Sequence, residues 1–260
     1  MQLHFKEYGH GAPIVILHGL FGSSDNWNGI AQKLAERFHV FSLDLRNHGR
    51  SPHSAKMDLP LMAEDVAEFL SAKHLTDAVI LGHSLGGKVA MRLALSHPAK
   101  LRALIIVDMA PRAYAPAHTA IFEAMLRLDL KAFQTRSQIE AALSPAIHDD
   151  DTRRFLLKNV GNTEDGGFKW KLNLRGIHDN YSHLNEAVAV GVDETFAKPA
   201  LFVRGNCSDY VTDTDSSEIQ KLFPVARLAT IPNAGHWVHA DAPDAFLARV
   251  HDFLADHLKS

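Results

Sequence analysis

A single cysteine, Cys207, stands in 260 residues, which excludes an intramolecular disulfide and suits a reducing compartment. No apolar run approaches the roughly 20 residues of a membrane-spanning helix. The opening stretch, Met1-Gln2-Leu3-His4-Phe5-Lys6-Glu7-Tyr8-Gly9, lacks the apolar core of a secretory signal, so the expectation is a soluble cytoplasmic protein. Positive charge is not in excess. The 27 Lys and Arg face 30 Asp and Glu, a net charge of −3 with histidine neutral, and the basic residues are scattered. Neither nucleic acid nor membrane is therefore an expected partner. The 17 histidines do not cluster as metal ligands do, and no metal or other cofactor is expected. Internal repeats and low-complexity tracts are missing too. What remains is ordinary globular composition, 46% hydrophobic and 22% charged, in a chain able to bury roughly 70–75% of its unfolded surface. One substantial core with an insertion fits that length.

The most informative stretch is Ala78 to Met91. An apolar run, Val79-Ile80-Leu81, leads into Gly82-His83-Ser84-Leu85-Gly86 and then a helix-compatible segment. Gly-x-Ser-x-Gly between a strand and a helix is the pattern of a nucleophile elbow. It predicts Ser84 at the tip of a strained turn, with Gly82 and Gly86 allowing strand and helix to approach. The hydroxyl would then stand at a helix N-terminus, where developing negative charge is favoured.

Before the elbow, Leu3–Tyr8 reads as an edge strand, and Ile14–Leu17 and Val40–Leu43 as strands covered on both faces. Helices are expected around Trp27–Arg37 and Pro60–Lys73. The elbow helix runs to Ser96, before His97-Pro98, and Arg102–Val107 makes another strand. This alternation predicts a mostly parallel, doubly wound sheet. The rhythm stops at Arg112. Helices are expected over Ala117–Phe133, from a capping box at Ser137-Gln138-Ile139-Glu140, and over Asp149–Asn159 with Asp150 or Asp151 near its cap. Gly161–Lys169 reads as a turn and Leu174–Ala189 as mixed helix and loop. Strands return at Pro199–Gly205 and Ala226–Ile231, with a helix over Thr214–Phe223 between them and a closing helix from Pro243. The segment 112–195 thus reads as a mostly helical cap over a core of 1–111 and 196–260.

A serine hydroxyl becomes nucleophilic only when a base takes its proton, and a third group must fix the base's tautomer. In such sheets the working groups follow the carboxyl ends of strands. His236, in the loop after the last strand, is the expected base. His83 is read as packing or hydrogen-bonding support and His18 as a loop-shaping residue. Two aspartates suit the acid: Asp108, directly after one strand, and Asp209, in the loop after the strand that follows the cap. The backbone N–H of Leu85 and that of Leu20, or alternatively Phe21, are the expected oxyanion donors.

Leu17-His18-Gly19-Leu20-Phe21-Gly22-Ser23, Asp44-Leu45-Arg46-Asn47-His48-Gly49-Arg50-Ser51, the elbow, and Gly235-His236-Trp237-Val238-His239 come in an order that resembles α/β-hydrolase-fold serine hydrolases. Within that family the chain resembles small bacterial carboxylesterases with a helical cap. The resemblance covers essentially the whole chain and implies the cap inserted after the sixth strand, with Ser84 as nucleophile and His236 as base. In most members the acid lies three residues beyond the glycine ending the post-cap strand. Here that glycine is Gly205 and the matching position is Ser208, with Asp209 displaced by one. Other members take the acid from the end of the preceding core strand, as Asp108 does, and the resemblance places Asp108 ahead of Asp209.

The implied activity is hydrolysis of small to medium acyl esters through an acyl-enzyme, in a monomer or small homo-oligomer. The alternatives are a thioesterase, a hydrolase of carbon–carbon bonds on the same triad, or a non-catalytic ligand-binding protein of hydrolase fold. Serine at position 84 argues against the dehalogenases and epoxide hydrolases of this fold, which use aspartate. Met109, Phe122, Met125, Leu126, Phe155, Leu184 and Trp237 are the expected pocket walls.

Overall fold

The structure, a computed structural model, describes residues 1–188 and 194–258. The expected stretch Leu174–Ala189 and the cap segment 112–195 each run into 189–193, and that part lies outside the described residues. The chain begins with strands β1 (Phe5–Tyr8) and β2 (Pro13–Leu17), helix α1 (Asn28–Leu34), β3 (His39–Leu43), α2 (Leu59–Ala72), β4 (Ala78–His83), α3 (Leu85–Ser96) and β5 (Leu101–Val107). The cap segment follows with α4 (Thr119–Arg127), α5 (Arg136–Leu143), α6 (Asp150–Leu157), the hairpin β6 (Val160–Asn162) and β7 (Phe168–Trp170), α7 (Leu174–Asp179) and α8 (Tyr181–Asn185). It closes with β8 (Ala200–Gly205), α9 (Ser216–Leu222), β9 (Ala226–Ile231), α10 (Val238–Asp241) and α11 (Pro243–His257).

The seven-stranded sheet runs in the order β1-β3-β2-β4-β5-β8-β9, with β1 antiparallel to β3 and the other pairings parallel. Its two faces are legible in β2. Val15 and Leu17 join the packing that includes Val66 and Leu70 of α2 and Val89 and Leu93 of α3. Ile14 and Ile16 point the other way, toward Ile30 and Leu34 of α1 and Val250 and Phe253 of α11. Side chains alternate across a strand, so a strand covered on both sides must be apolar throughout. The insertion follows the fifth strand rather than the expected sixth, since only β1 to β5 precede it among the described residues.

Two local expectations are corrected by capping. The box at α5 belongs to Thr135 with Gln138, not Ser137, since Thr135 is the extended residue whose hydroxyl meets the Gln138 N–H. Helix α6 is capped by Asp149, which accepts from Thr152 N at 2.7 Å, rather than by Asp150 or Asp151. The expected turn over Gly161–Lys169 is the tip of the β6–β7 hairpin. The helix expected around Trp27–Arg37 is α1, Asn28–Leu34, preceded by a short 3₁₀ turn at Ser24–Trp27 and ending three residues earlier than expected.

Hydrogen bonds join cap and core at several places, two of them beside the site's loops. Asn173 N donates to Asn47 O at 2.8 Å, and buried Asn159 donates from Nδ2 to Phe21 O at 2.7 Å. The Asn47 loop is itself anchored from below by Arg46, which pairs both ways with buried Asp65 at 2.6 and 2.8 Å.

Candidate active site

Strand β4 ends at His83 and α3 begins at Leu85, so Ser84 alone makes the bend, at φ 53° and ψ −119°. Serine seldom occupies positive φ, and this strain persists because its surroundings fix it. A Cβ on Gly82 would lie 2.2 Å from Gly86 O, and one on Gly86 would lie 2.3 Å from Leu17 O. Only glycine at both positions lets strand, helix and first loop come this close.

Strands β5 and β8 are parallel neighbours, with Val107 opposite Val203, so their following loops emerge side by side. Asp108, fully buried at φ 50°, stands there. Its Oδ2 accepts from His236 Nδ1 at 2.8 Å, and Ser208 Oγ donates to the same oxygen. Oδ1 accepts from Gly205 N at 3.2 Å. Asp209 is exposed and has no contact with His236 among the described residues; its backbone oxygen faces Arg112 Nη2 at 3.5 Å. The geometry therefore joins His236 to Asp108 and leaves Asp209 aside. The His236 ring also stacks on Tyr210 (3.8 Å, 18°), and its carbonyl accepts from His83 Nε2 at 2.9 Å. Among the described residues no hydrogen bond links Ser84 Oγ to His236, though both line one cavity; such bonds often tighten only around substrate.

In the first loop Gly22 N closes a turn on Gly19 O at 2.9 Å, with Leu20 and Phe21 at its corners. His18 braces this turn: its Nδ1 donates to Gly19 O (2.8 Å) and its Nε2 accepts from Leu45 N (3.0 Å). Leu85 is the first residue of α3, so its N–H is one of those a helix leaves without an internal acceptor. Leu20 and Leu85 line the larger of two cavities at Ser84, whereas Phe21 lines only the smaller.

The larger cavity, about 310 Å³, is walled by Leu20, Leu85, Met109, Leu184, Tyr114 and Tyr210, with Lys88 and Arg112 also on its lining. The smaller, about 110 Å³, is bounded by Phe155, Trp237, Ile121 and His236. Four expected wall residues thus lie at the site: Met109, Leu184, Phe155 and Trp237. Phe122, Met125 and Leu126 do not. The apolar stripe of α4 turns instead into the packing between cap and core, where buried Phe122 meets Phe21 of the first loop (4.8 Å) and Tyr181 of the cap (4.9 Å). A stripe at helical spacing marks a buried face without saying what it faces.

Four buried histidines near the site, His18, His48, His83 and His239, are held neutral by burial. His18 and His83 lie below the usual imidazole range, and burial pushes His48 and His239 down to about 3. In His83 and His239 the neighbouring His236 adds to burial. Lys88, nearly inaccessible and donating to Asn185 O (3.0 Å) and Glu186 O, is lowered by burial to about 8. Sequence reasoning missed Lys88, Tyr114, His118, Tyr181, Tyr210 and the Ser208 contact. Only Ser208 left a signal, since it occupies the position where an acid was sought.

A doubly wound sheet with a serine at the bend after its central strand, and an Asp–His pair drawn from the loops after β5 and β9 on the same edge, is the architecture of α/β hydrolases. The chain belongs to the alpha/beta hydrolase fold family, whose match spans residues 12–243. Within it, the chain resembles the small bacterial esterases with a helical cap. It is 36% identical over 250 residues to esterase YbfF of Escherichia coli, covering 95% of this chain and 94% of that one. The sn-1-specific diacylglycerol lipase ABHD11 of Danio rerio is 37% identical over 260 residues, 96% of this chain and 80% of that protein. Among solved structures, a marine microorganism esterase superposes with a TM-score of 0.94 at 42% identity, over 97% of this chain and 99% of its own.

Proposed function

We propose that the chain is a serine carboxylesterase acting on small to medium acyl esters. The observation that carries this reading is the 2.8 Å bond from His236 Nδ1 to buried Asp108, with His236 and strained Ser84 on one cavity. A proton on Nδ1 leaves Nε2 as the free base. Ser84 Oγ attacks the ester carbonyl as His236 takes its proton, and the carbonyl oxygen gains charge beside the N–H groups of Leu20 and Leu85. Collapse expels the alcohol with that proton. Water activated by His236 then releases the acid and restores the serine.

The two cavities divide the substrate by the same logic. The alcohol must leave beside His236, which lines only the smaller cavity, so the larger one takes the acyl chain. Its mainly apolar walls suit chains of roughly two to eight carbons. The esterase and lipase names of the relatives agree with ester hydrolysis. A fluorophosphonate should label Ser84 stoichiometrically and abolish hydrolysis of p-nitrophenyl butyrate in step. Labelling elsewhere, or no turnover of any ester from acetyl to octanoyl, would reject the reading.

Ser208 donates to the oxygen that holds His236, so it steadies the acid without touching substrate. Ser208→Ala is expected to lower kcat about 3- to 10-fold with KM little changed, the loss of one charge-assisted hydrogen bond at one remove. Steady-state kinetics on the butyrate ester provide the check.

A further inference from the structure

Leu20, Ser84 and His118 are common to both cavities, so they bracket the point where a bound ester crosses from one to the other. Leu20 and Ser84 come from the core. His118 comes from the cap, just before α4. Its ring is fixed by neighbours, with Phe21 at 6.0 Å and Tyr181 at 5.8 Å, both edge-on.

The protonation of this ring follows from its hydrogen bonds. Tyr181 Oη lies 2.6 Å from His118 Nδ1 and accepts from the His118 backbone N–H at 3.2 Å. The hydroxyl carries one proton of its own. Among the described residues, His118 Nδ1 is the acceptor it meets, and leaving a half-buried hydroxyl proton unpaired costs free energy. The proton is therefore aimed at Nδ1, and an imidazole accepting at Nδ1 carries its own proton on Nε2. Burial, with His236 adding repulsion, lowers this ring to about 4, so it stays neutral near pH 7. Its Nε2–H bonds to no protein group among the described residues.

Resting on the acyl-transfer reading above, we propose that His118 is a third hydrogen-bond donor to substrate, its Nε2–H meeting an oxygen of the ester held at Ser84. The two backbone donors belong to the core, whereas this one is delivered by the cap. A donor aimed at an oxygen that gains charge binds the transition state more tightly than the ground state, and its loss falls on kcat. Tyr181 is then a positioning residue, fixing which nitrogen of His118 carries the proton.

His118→Phe keeps a flat ring and removes the donor. It is expected to lower kcat for p-nitrophenyl butyrate about 10- to 100-fold with KM changed less than about threefold. His118→Gln, which retains an N–H, is expected to recover a large part of that loss. Equal losses in the two variants, or kcat within twofold of the parent in His118→Phe, would overturn the assignment. A nitrogen-15 NMR spectrum of the unmodified protein reads the ring directly, its signal identified by its disappearance in His118→Gln. Protonation at Nε2, with a downfield move of that proton once Ser84 carries a phosphonate, is the expected result. Protonation at Nδ1, or an unmoved resonance on labelled protein, overturns the role of His118 alone. Absence of phosphonate labelling would instead overturn the acyl-transfer reading on which it rests.

Discussion

Asp108→Asn is expected to lower kcat for ester hydrolysis about 10⁴-fold while the circular dichroism spectrum stays native, and Asp209→Asn to leave kcat within about twofold. The asymmetry lies in what each carboxylate touches. Asp108 Oδ2 accepts from both His236 Nδ1 and Ser208 Oγ, while Oδ1 accepts from Gly205 N. An amide placed here has one acceptor oxygen for these donors. With its NH₂ toward His236, donor would face donor, and the imidazole would relieve the conflict by moving its proton to Nε2. A ring protonated there cannot accept the serine proton. With its NH₂ turned the other way, it would oppose the Gly205 N–H instead. Asp209 makes no such contact; it is exposed, on the lining of the larger cavity and away from His236. Measuring both variants on one ester decides the matter: a large loss confined to Asp209→Asn would move the acid to the loop after β8.

The acid was hard to read from sequence because both candidates lie beyond the ends of adjacent parallel strands, and strand order cannot say which carboxylate is aimed inward. That aim is set by the positive φ of Asp108 and by its contacts with Gly205 and Ser208, all tertiary facts. The elbow was legible because several local requirements fall on consecutive residues: an apolar strand, a turn flanked by glycines, and a helix start. The sheet was legible for a similar reason, since strands covered on both faces must be continuously apolar. Pocket walls were not. Phe122 and Met125 carry the same helical spacing whether α4 turns them toward a ligand or toward Phe21 and Tyr181, and only the packing of the cap decides. The cap's contributions to the site were hidden by sequence distance, as His118 and Tyr181 are 63 positions apart.

Stability is expected to fall steeply as pH drops from 7 to 5, because buried histidines refuse protons that the unfolded chain accepts. His48 and His239 are held near 3 by burial, and His18 and His83 are lowered from the same cause. Unfolded, each titrates near its ordinary value of about 6.5. The stabilisation from keeping them neutral is complete above that value and is lost as pH falls toward the folded-state values. At pH 5 the loss is about 2 kcal/mol for each fully neutral ring, or about 4 kcal/mol for His48 and His239 alone. Domains of this kind are stable by roughly 5–15 kcal/mol, so a loss of this size is a large share of the total, and His18 and His83 pull in the same direction. The local geometry agrees in sign. His48 donates from Nδ1 to Arg46 O at 2.9 Å, and its Nε2 has no partner, so a proton added there would find no acceptor. His239 stacks on Trp27 at 3.9 Å, which makes tryptophan fluorescence a direct reporter of this region. Thermal melts from pH 7 to pH 5 should show the parent losing about 2 kcal/mol more than His239→Gln, whose amide does not titrate. Melting points flat across that interval in both proteins would show that these rings reach solvent and bind protons without unfolding.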